Sequence, residues 1–381
     1  MTGFTRAEIA ARGHPVWAEV DLEAIRHNVR VLRNAAAGAE FMGVVKGYAY
    51  GHGNPASAQA MLQAGATRLG VARVAEGLHL REAGITAPIQ VFTEPPEDAI
   101  PAMLANDLCA TVYTRSFARA LSDGAMAQQR RVAVHVKLDT GMHRVGLLSD
   151  DVEDAMAELR ALPGIGIEGA WSHLAVADVA DHPFTRKQID LFADLTGRIE
   201  RSGIPLALKH IANSAATLSL PEARFDLVRC GAASFGLWPG RDLRGSADLK
   251  PALSLRARVN MVKVVPAGDA LSYGLAYKLE RAARVVTVPA GYADGFDRRL
   301  SGVAEVLLGG RRYRISGTVC MDQFMVDVGD SEIDVGDVTT LIGSDGGERV
   351  TAEELAERLG TINYEVTARV PSRVPRVYLN E

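Results

Sequence analysis

The chain has 381 residues, of which 48% are hydrophobic and 23% charged, with a formal net charge of −4. That length exceeds one ordinary domain and supplies core-forming material for two, so a soluble two-domain protein is expected. The slightly acidic balance excludes a broad pull toward nucleic acid or anionic membrane, and no apolar run reaches bilayer-spanning length. The opening MTGFTRAEIAARGHP lacks the basic-then-apolar pattern of a secretory signal. Cys109, Cys230 and Cys320 are far apart and have no metal-ligand spacing. A cytoplasmic protein with reduced thiols is the expectation.

In chain order, Asp21 is placed to N-cap a helix whose apolar stripe is Leu22, Ile25, Val29 and Leu32. The strand-like run FMGVVK follows, then a helical stretch from about Ala56 to Ala64 stopped by Gly65. Seven more such runs come next: RLGVA, PIQVFT, CATVYT, VAVHVKLD, GIEGAWSH, LKHIA and FDLVRC. Amphipathic helical text separates most of them, which is the pattern of repeated βα units. Eight units predict an α/β fold, a (β/α)8 TIM barrel with its site at the strand C-terminal ends. An open doubly wound sheet is the alternative.

Beyond Pro239 the runs shorten and become β-branched, with Gly309-Gly310 as a hairpin signal and one helix introduced by Thr351 and Glu354. This half predicts a mostly antiparallel β domain. The expected division is a barrel over residues 12–239 and a β-rich C-terminal domain over 240–381, which residues 1–11 can join.

Chemistry-bearing residues gather at the predicted strand ends. Lys46, in VVKGYAYGHG, follows an apolar strand, where desolvation lowers an amine's pKa and a neutral amine can attack an aldehyde. Its plain alternative is a rim lysine with its charge in water. In VKLDTGMHRVG, Lys137 and Arg144 flank Asp139, either as a salt-bridged rim or with Arg144 as a carboxylate-binding guanidinium. His173 ends the sixth run and Arg229 the eighth. Asn213 and Ser214 precede a helix, and Gly231 with Ala232 follows Arg229. Both segments fall after the seventh and eighth strands, where barrels commonly bind phosphate. In the C-terminal half, Tyr273, Tyr292 and Tyr364 sit beside small residues, as rings exposed at loop ends do.

Nine segments in order, VVKGYAYGHG, LDTGMHRVG, SHLA, ANSAAT, DLVR, SYG, GYADG, CMDQ and INYEV, resemble the alanine racemase family, fold-type III enzymes that use pyridoxal 5'-phosphate. The resemblance runs from about Trp17 to Tyr378 and implies interconversion of L- and D-alanine, with D-alanine supplied for peptidoglycan. It implies that Lys46 holds the cofactor as a Schiff base and is the base on the D side. Tyr273 of the partner subunit in a head-to-tail homodimer would be the base on the L side. Tyr50, Asn213, Ser214, Gly231, Ala232 and Tyr364 would bind the cofactor, chiefly its phosphate. Arg229 would face the pyridine nitrogen, and His173 would bridge Tyr273 and Arg229. Arg144 would lie by the phenolic oxygen, oriented by a carbamylated Lys137. Met321 and Asp322 of the other subunit would meet the substrate carboxylate region, and Tyr292 would narrow the entrance.

Departures from the family's usual residues are Gly47-Tyr48, His143, Cys230, Ala232, Phe235 and Thr318. None of them removes a catalytic group. Three other readings compete: a decarboxylase of related plan, a non-catalytic cofactor-binding barrel, and a racemase for serine, lysine or another amino acid. The first lacks its Gly-Gly-Gly and Cys-Glu-Ser segments here, and the second would have no β domain.

Overall fold

A computed structural model describes residues 5–381. The chain divides into two compact units. One comprises Ile25–Ala49 and Ser57–Lys250; the other comprises the residues up to Ala24, Tyr50–Ala56 and Pro251–Glu381. The first strand, β1 (Val16–Asp21), lies in the second of these units.

The first unit is the eight-stranded parallel barrel. Its strands are β2 (Glu40–Val44), β3 (Arg68–Val71), β4 (Ile89–Val91), β5 (Leu108–Val112), β6 (Val132–Lys137), β7 (Ile165–Trp171), β8 (Leu208–His210) and β9 (Leu227–Cys230). They pair in the order β8-β7-β6-β5-β4-β3-β2-β9. Hydrogen bonds from Asp226 N–H to Lys209 O and from Arg229 N–H to Ala212 O bring β9 against the β8 edge. The strands read as continuous apolar runs because interior side chains bury one face and helices the other. Met42, Leu208 and Leu227 pack together inside, with Phe92 against them.

The helices obey the periodicity of the sequence. Pro183–Arg201 buries Ile189, Phe192, Leu195 and Ile199, one face of a 3.6-residue repeat. Phe192 meets Phe225 edge-on with ring centroids 5.1 Å apart. Asp21 Oδ1 accepts from the N–H groups of Glu23 at 2.9 Å and Ala24 at 3.1 Å, capping the helix Leu22–Ala36. Gly65 ends the next long helix at φ +99°, a conformation L side chains rarely adopt.

The second unit is mostly antiparallel. Its strands are β10 (Leu253–Arg258), β11 (Met261–Val265), β12 (Ala270–Leu271), β13 (Tyr277–Lys278), β14 (Ala283–Val288), β15 (Glu305–Leu308), β16 (Arg311–Arg314), β17 (Phe324–Gly329), β18 (Val338–Asp345), β19 (Glu348–Val350) and β20 (Arg376–Leu379). One sheet runs β16-β15-β18-β10-β1-β20, with β1 antiparallel to β10 and parallel to β20. A second sheet is β11-β14-β17, and β12-β13 is a short ribbon. The β15-β16 hairpin turns through Gly309 and Gly310, both at positive φ. Thr351 caps the helix Ala352–Leu359 by accepting from Glu354 N–H at 3.0 Å. No described helix is long and apolar enough to cross a membrane.

Candidate active site

Lys46 stands just past β2, at the start of a left-handed turn. Gly47, Tyr48, Ala49 and Tyr50 all have φ between 53° and 64°. Such backbone costs about 1–2 kcal/mol per non-glycine residue, so neighbours must hold it. Glu76 does so by accepting from Gly47 N–H at 2.6 Å, and Ala49 N–H donates to Val45 O at 2.9 Å. Burial is the main force holding the Lys46 amine toward its neutral form; the Arg144 cation adds to it, Glu76 opposes, and Arg229 contributes. Glu76 went unread in the sequence. Its only signal is a carboxylate on the first turn of the helix Val74–Glu82.

Arg229, on β9, is buried and surrounded by neutral acceptors. Nη1 donates to His210 O at 2.9 Å and His210 Nδ1 at 3.0 Å. Nη2 donates to Ser172 O at 2.8 Å, to Ile211 O at 3.1 Å and to His173 Nδ1 at 3.3 Å. The guanidinium lies 4.8 Å over the Trp171 ring. Burial pulls its pKa down to about 9, which still leaves it protonated at neutral pH. Nε has no partner among the described residues. A guanidinium nitrogen can only donate, so the bare Nε–H suits an acceptor such as a ring nitrogen. His173 lies beside Arg229, and burial together with that cation holds its imidazole neutral.

His135 and His210 are wholly buried, and burial pushes both below the usual histidine range. A group whose folded pKa is depressed gives stability that is present above its unfolded value and lost as pH falls. The contribution of these two rings to urea stability is therefore expected to be complete above about pH 6.5 and to fall by up to ~3 kcal/mol per pH unit below it as two extra protons bind the unfolded chain. A flat dependence between pH 6.5 and 5 would refute this account of the two rings.

Lys137 ends β6 with only 3% of its surface exposed. Its Nζ donates to Leu138 O at 3.0 Å and lies 3.5 Å from Ser172 Oγ and 4.8 Å over the Trp171 ring. Burial, with help from Arg229, lowers its pKa from 10.5 to about 7, against the pull of Asp139. Between those two values the unfolded chain binds the extra proton, so stability rises with pH there and is lowest below 7. Lys137→Met is expected to raise carbonate-free stability at pH 7 by a few kcal/mol and to flatten that rise. Denaturation midpoints at pH 7 and 10 check it.

The loop after β6 presents Arg144 to solvent. Asp139 Oδ1 ties the loop down, accepting from Gly141 N–H at 2.9 Å and His143 N–H at 3.1 Å. His143 adopts φ +55°, a conformation that favours glycine, and its Nδ1 lies 3.3 Å from Asp139 Oδ2.

After β8 and β9 two short helical turns start side by side. Asn213 caps the first by accepting from Ala216 N–H at 3.0 Å. Ser214 Oγ accepts from the N–H groups of Gly231 at 3.1 Å and Ala233 at 3.4 Å, which brings the two starts together. The opening N–H groups of such turns have no intrahelical acceptor and suit an anion. Ala232 and Phe235 are buried here. Cys230 is also buried, and its thiol, pushed up to about 12 by that burial, donates to Thr217 Oγ1. It is an inert thiol.

The second unit carries the remaining predicted residues. Tyr50 and Tyr364 meet edge-on with ring centroids 6.2 Å apart. Gly51 and Gly53 pack against Thr367 O and the Tyr378 hydroxyl, where a Cβ would lie 2.0 and 2.1 Å away. On another part of this unit, Thr318 Oγ1 donates to Tyr273 O at 2.9 Å, while Tyr292 N–H donates to Cys320 O at 3.2 Å. These bonds place Tyr273, Tyr292 and Met321 on adjoining turns. All three are exposed, at 73%, 43% and 53%, as is Leu275 at 68%. Asp322 is exposed and pairs with Arg373 at 2.7 Å.

Family models for the alanine racemase N-terminal and C-terminal domains match residues 20–239 and 252–378. The alanine racemase of Carboxydothermus hydrogenoformans is 44% identical over 367 residues, covering 96% of this chain and 100% of that protein. That of Desulforamulus reducens is 43% identical, covering 96% and 99%. Among solved structures, alanine racemase from D-cycloserine-producing Streptomyces lavendulae has a TM-score of 0.91 at 40% identity, covering 96% of this chain and 97% of that one. The Streptomyces coelicolor alanine racemase gives 0.93 at 38%, covering 98% and 100%. Eight parallel barrel strands, an antiparallel C-terminal unit and near-complete coverage agree, and the chain belongs to the alanine racemase family as an amino-acid racemase.

Proposed function

We propose that the protein interconverts L- and D-alanine with pyridoxal 5'-phosphate, using Lys46 as one base and Tyr273 of a second copy as the other. The observation that carries the cofactor is Arg229: a buried guanidinium whose Nη groups are satisfied and whose Nε–H has no partner among the described residues. The rest of the first unit fits the same group. Lys46 would hold its aldehyde carbon, Ser214, Gly231 and Ala232 its phosphate, with Asn213 shaping that turn. Tyr50 and Tyr364 would also bind its phosphate, and Arg144 would lie by the phenolic oxygen. Bound there, the cofactor would supply the electron sink that makes an α-proton acidic enough to remove.

The protein residues would then divide the proton work. Lys46, held toward its neutral form, takes a proton at Nζ on one face. A tyrosine ordinarily titrates near ~10 and needs help to act on the other. His173 accepts from Arg229 at Nδ1, so its own hydrogen sits on Nε2, free to donate to a phenolate. The exposed group of Tyr273, Leu275, Tyr292 and Met321 is large for a lone surface and supports a homodimer that covers it. Met321 and Asp322 would line the substrate carboxylate region, and Tyr292 would narrow the entrance. A neutral buried Lys137 amine can attack carbon dioxide, and the resulting carbamate would orient Arg144. Cytoplasmic supply of D-alanine for peptidoglycan is the role this reading favours.

Deuterium wash-in over a panel of amino acids tests the activity. Solvent deuterium at Cα with inversion, fastest for alanine, is expected of the cofactor-loaded enzyme. Carbon dioxide release from L-amino acids without inversion would overturn the proposal in favour of a decarboxylase.

A further inference from the structure

A row of polar side chains crosses the barrel interior behind Arg229, and catalysis as proposed uses none of its inner members. His210 Nδ1 accepts from Arg229 at 3.0 Å, His210 Nε2 lies 2.7 Å from His135 Nδ1, and His135 Nε2 lies 3.0 Å from Glu168 Oε2. Glu168 accepts from Arg68 Nη2 at 2.7 Å and Nη1 at 3.3 Å. Arg68 Nε reaches Glu40 at 3.3 Å, toward the N-terminal end of the barrel.

The row has one polarity. Arg229 can only donate, so His210 Nδ1 is bare and its hydrogen sits on Nε2. That hydrogen goes to His135 Nδ1, which puts the His135 hydrogen on Nε2, facing a carboxylate that can only accept. The backbone is built for this arrangement. Val134 pairs with Ile167 and His135 with Gly169, so Glu168 is the extra residue of a bulge in β7. A Cβ on residue 169 would lie 3.0 Å from His135 Nδ1 and 2.3 Å from Leu208 O, so glycine there admits the ring. Trp171 stacks on His210 at 5.9 Å and 4°.

We infer that Glu168, acting through His135 and His210, is a positioning residue for Arg229: its carboxylate sets the direction of the whole row and so keeps His210 an acceptor. Without an acceptor at residue 168, His135 Nε2–H is stranded in the interior. If His135 moves that hydrogen to Nδ1, it faces the His210 Nε2–H, and His210 must move its own toward the guanidinium. Two donors then meet at Arg229. Cys109, His135 and Glu168 are also close enough to hold a metal ion. Glu168 is already engaged by Arg68, and burial pushes the Cys109 thiol up to about 12, so the row is the better account of these groups.

Nitrogen-15 spectra of histidine-labelled protein without cofactor read the rings directly. In the wild type, both His135 and His210 are expected to carry hydrogen on Nε2 with Nδ1 bare. Glu168→Met is expected to shift both rings to the Nδ1–H form, and Glu168→Gln, which keeps an acceptor, to preserve them. In the loaded enzyme, Glu168→Met is expected to lower kcat ~10-fold or more with KM little changed, and Glu168→Gln to recover most of it. A wild-type His210 with hydrogen on Nδ1 would overturn the inference, and that spectrum stands even where Glu168→Met fails to fold. Unchanged rings in Glu168→Met, or switched rings with unchanged kcat, would also overturn it. The kinetic arm rests on the proposed role of Arg229 and the spectral arm does not, so absence of racemisation in the wild type, with the rings as stated, would defeat only the proposed function.

Discussion

Lys46→Ala is expected to lower racemisation by ~10⁴-fold or more in both directions, because under the proposed function one substitution would remove both the cofactor's covalent anchor and the base on one face. Lys46→Arg should do no better: a guanidinium keeps the charge but stays protonated and cannot take the α-proton. Neither variant should unfold the protein. The left-handed turn at residues 47–50 is held by Glu76 on the Gly47 N–H and by Val45 O on the Ala49 N–H, and the lysine side chain takes no part in those bonds. Removing an amine that burial already disfavours costs the fold little. Turnover by polarimetry, beside an unchanged melting temperature, checks the claim. Turnover within ~10-fold of wild type would remove Lys46 from the chemistry.

Tyr273→Phe has the second-largest expected effect, a loss of ~10²–10⁴-fold in racemisation. Its signature is asymmetry. With Lys46 intact, D-alanine should still exchange its α-proton with solvent deuterium, returning as labelled D-alanine, while L-alanine exchange collapses with racemisation. The ring is exposed and its side chain makes no hydrogen bond among the described residues, so the fold should change by less than ~0.5 kcal/mol. Equal loss of exchange for both enantiomers would argue that Tyr273 shapes the site without serving one face.

The barrel was legible in the sequence because each of its strands is a short apolar run closed by turn text, and all eight runs fall on observed strands. Local signals were equally readable: Asp21 and Thr351 cap helices, and Gly309-Gly310 turns a hairpin. The placement of β1 was not. Its partners β10 and β20 lie more than 200 residues away, and nothing local in VWAEVD names them. The turn at Lys46 was also hidden, since Tyr48, Ala49 and Tyr50 have no local reason to adopt positive φ, and the carboxylate that holds them comes from another helix. The ordered motifs named Lys46, Lys137, Arg144, His173, Ser214 and Arg229, and the first unit carries them all. His135, His210 and Glu168 stayed invisible because side-chain direction inside a barrel depends on register. One bulge in β7 shifts the register at His135 and makes Glu168 the extra residue, and nothing local in the sequence announces it.

The central claim is that each site takes Lys46 from one chain and Tyr273 from another. Mixing the two nearly inactive proteins, Lys46→Ala and Tyr273→Phe, after dissociation and reassociation tests it most directly. Half of the reassorted dimers would be mixed, and each mixed dimer would hold one site with both native bases and one with neither. Racemisation is therefore expected to return to about a quarter of the wild-type rate. Activity no greater than the sum of the two parents, with mixed dimers shown to form, would contradict the shared site.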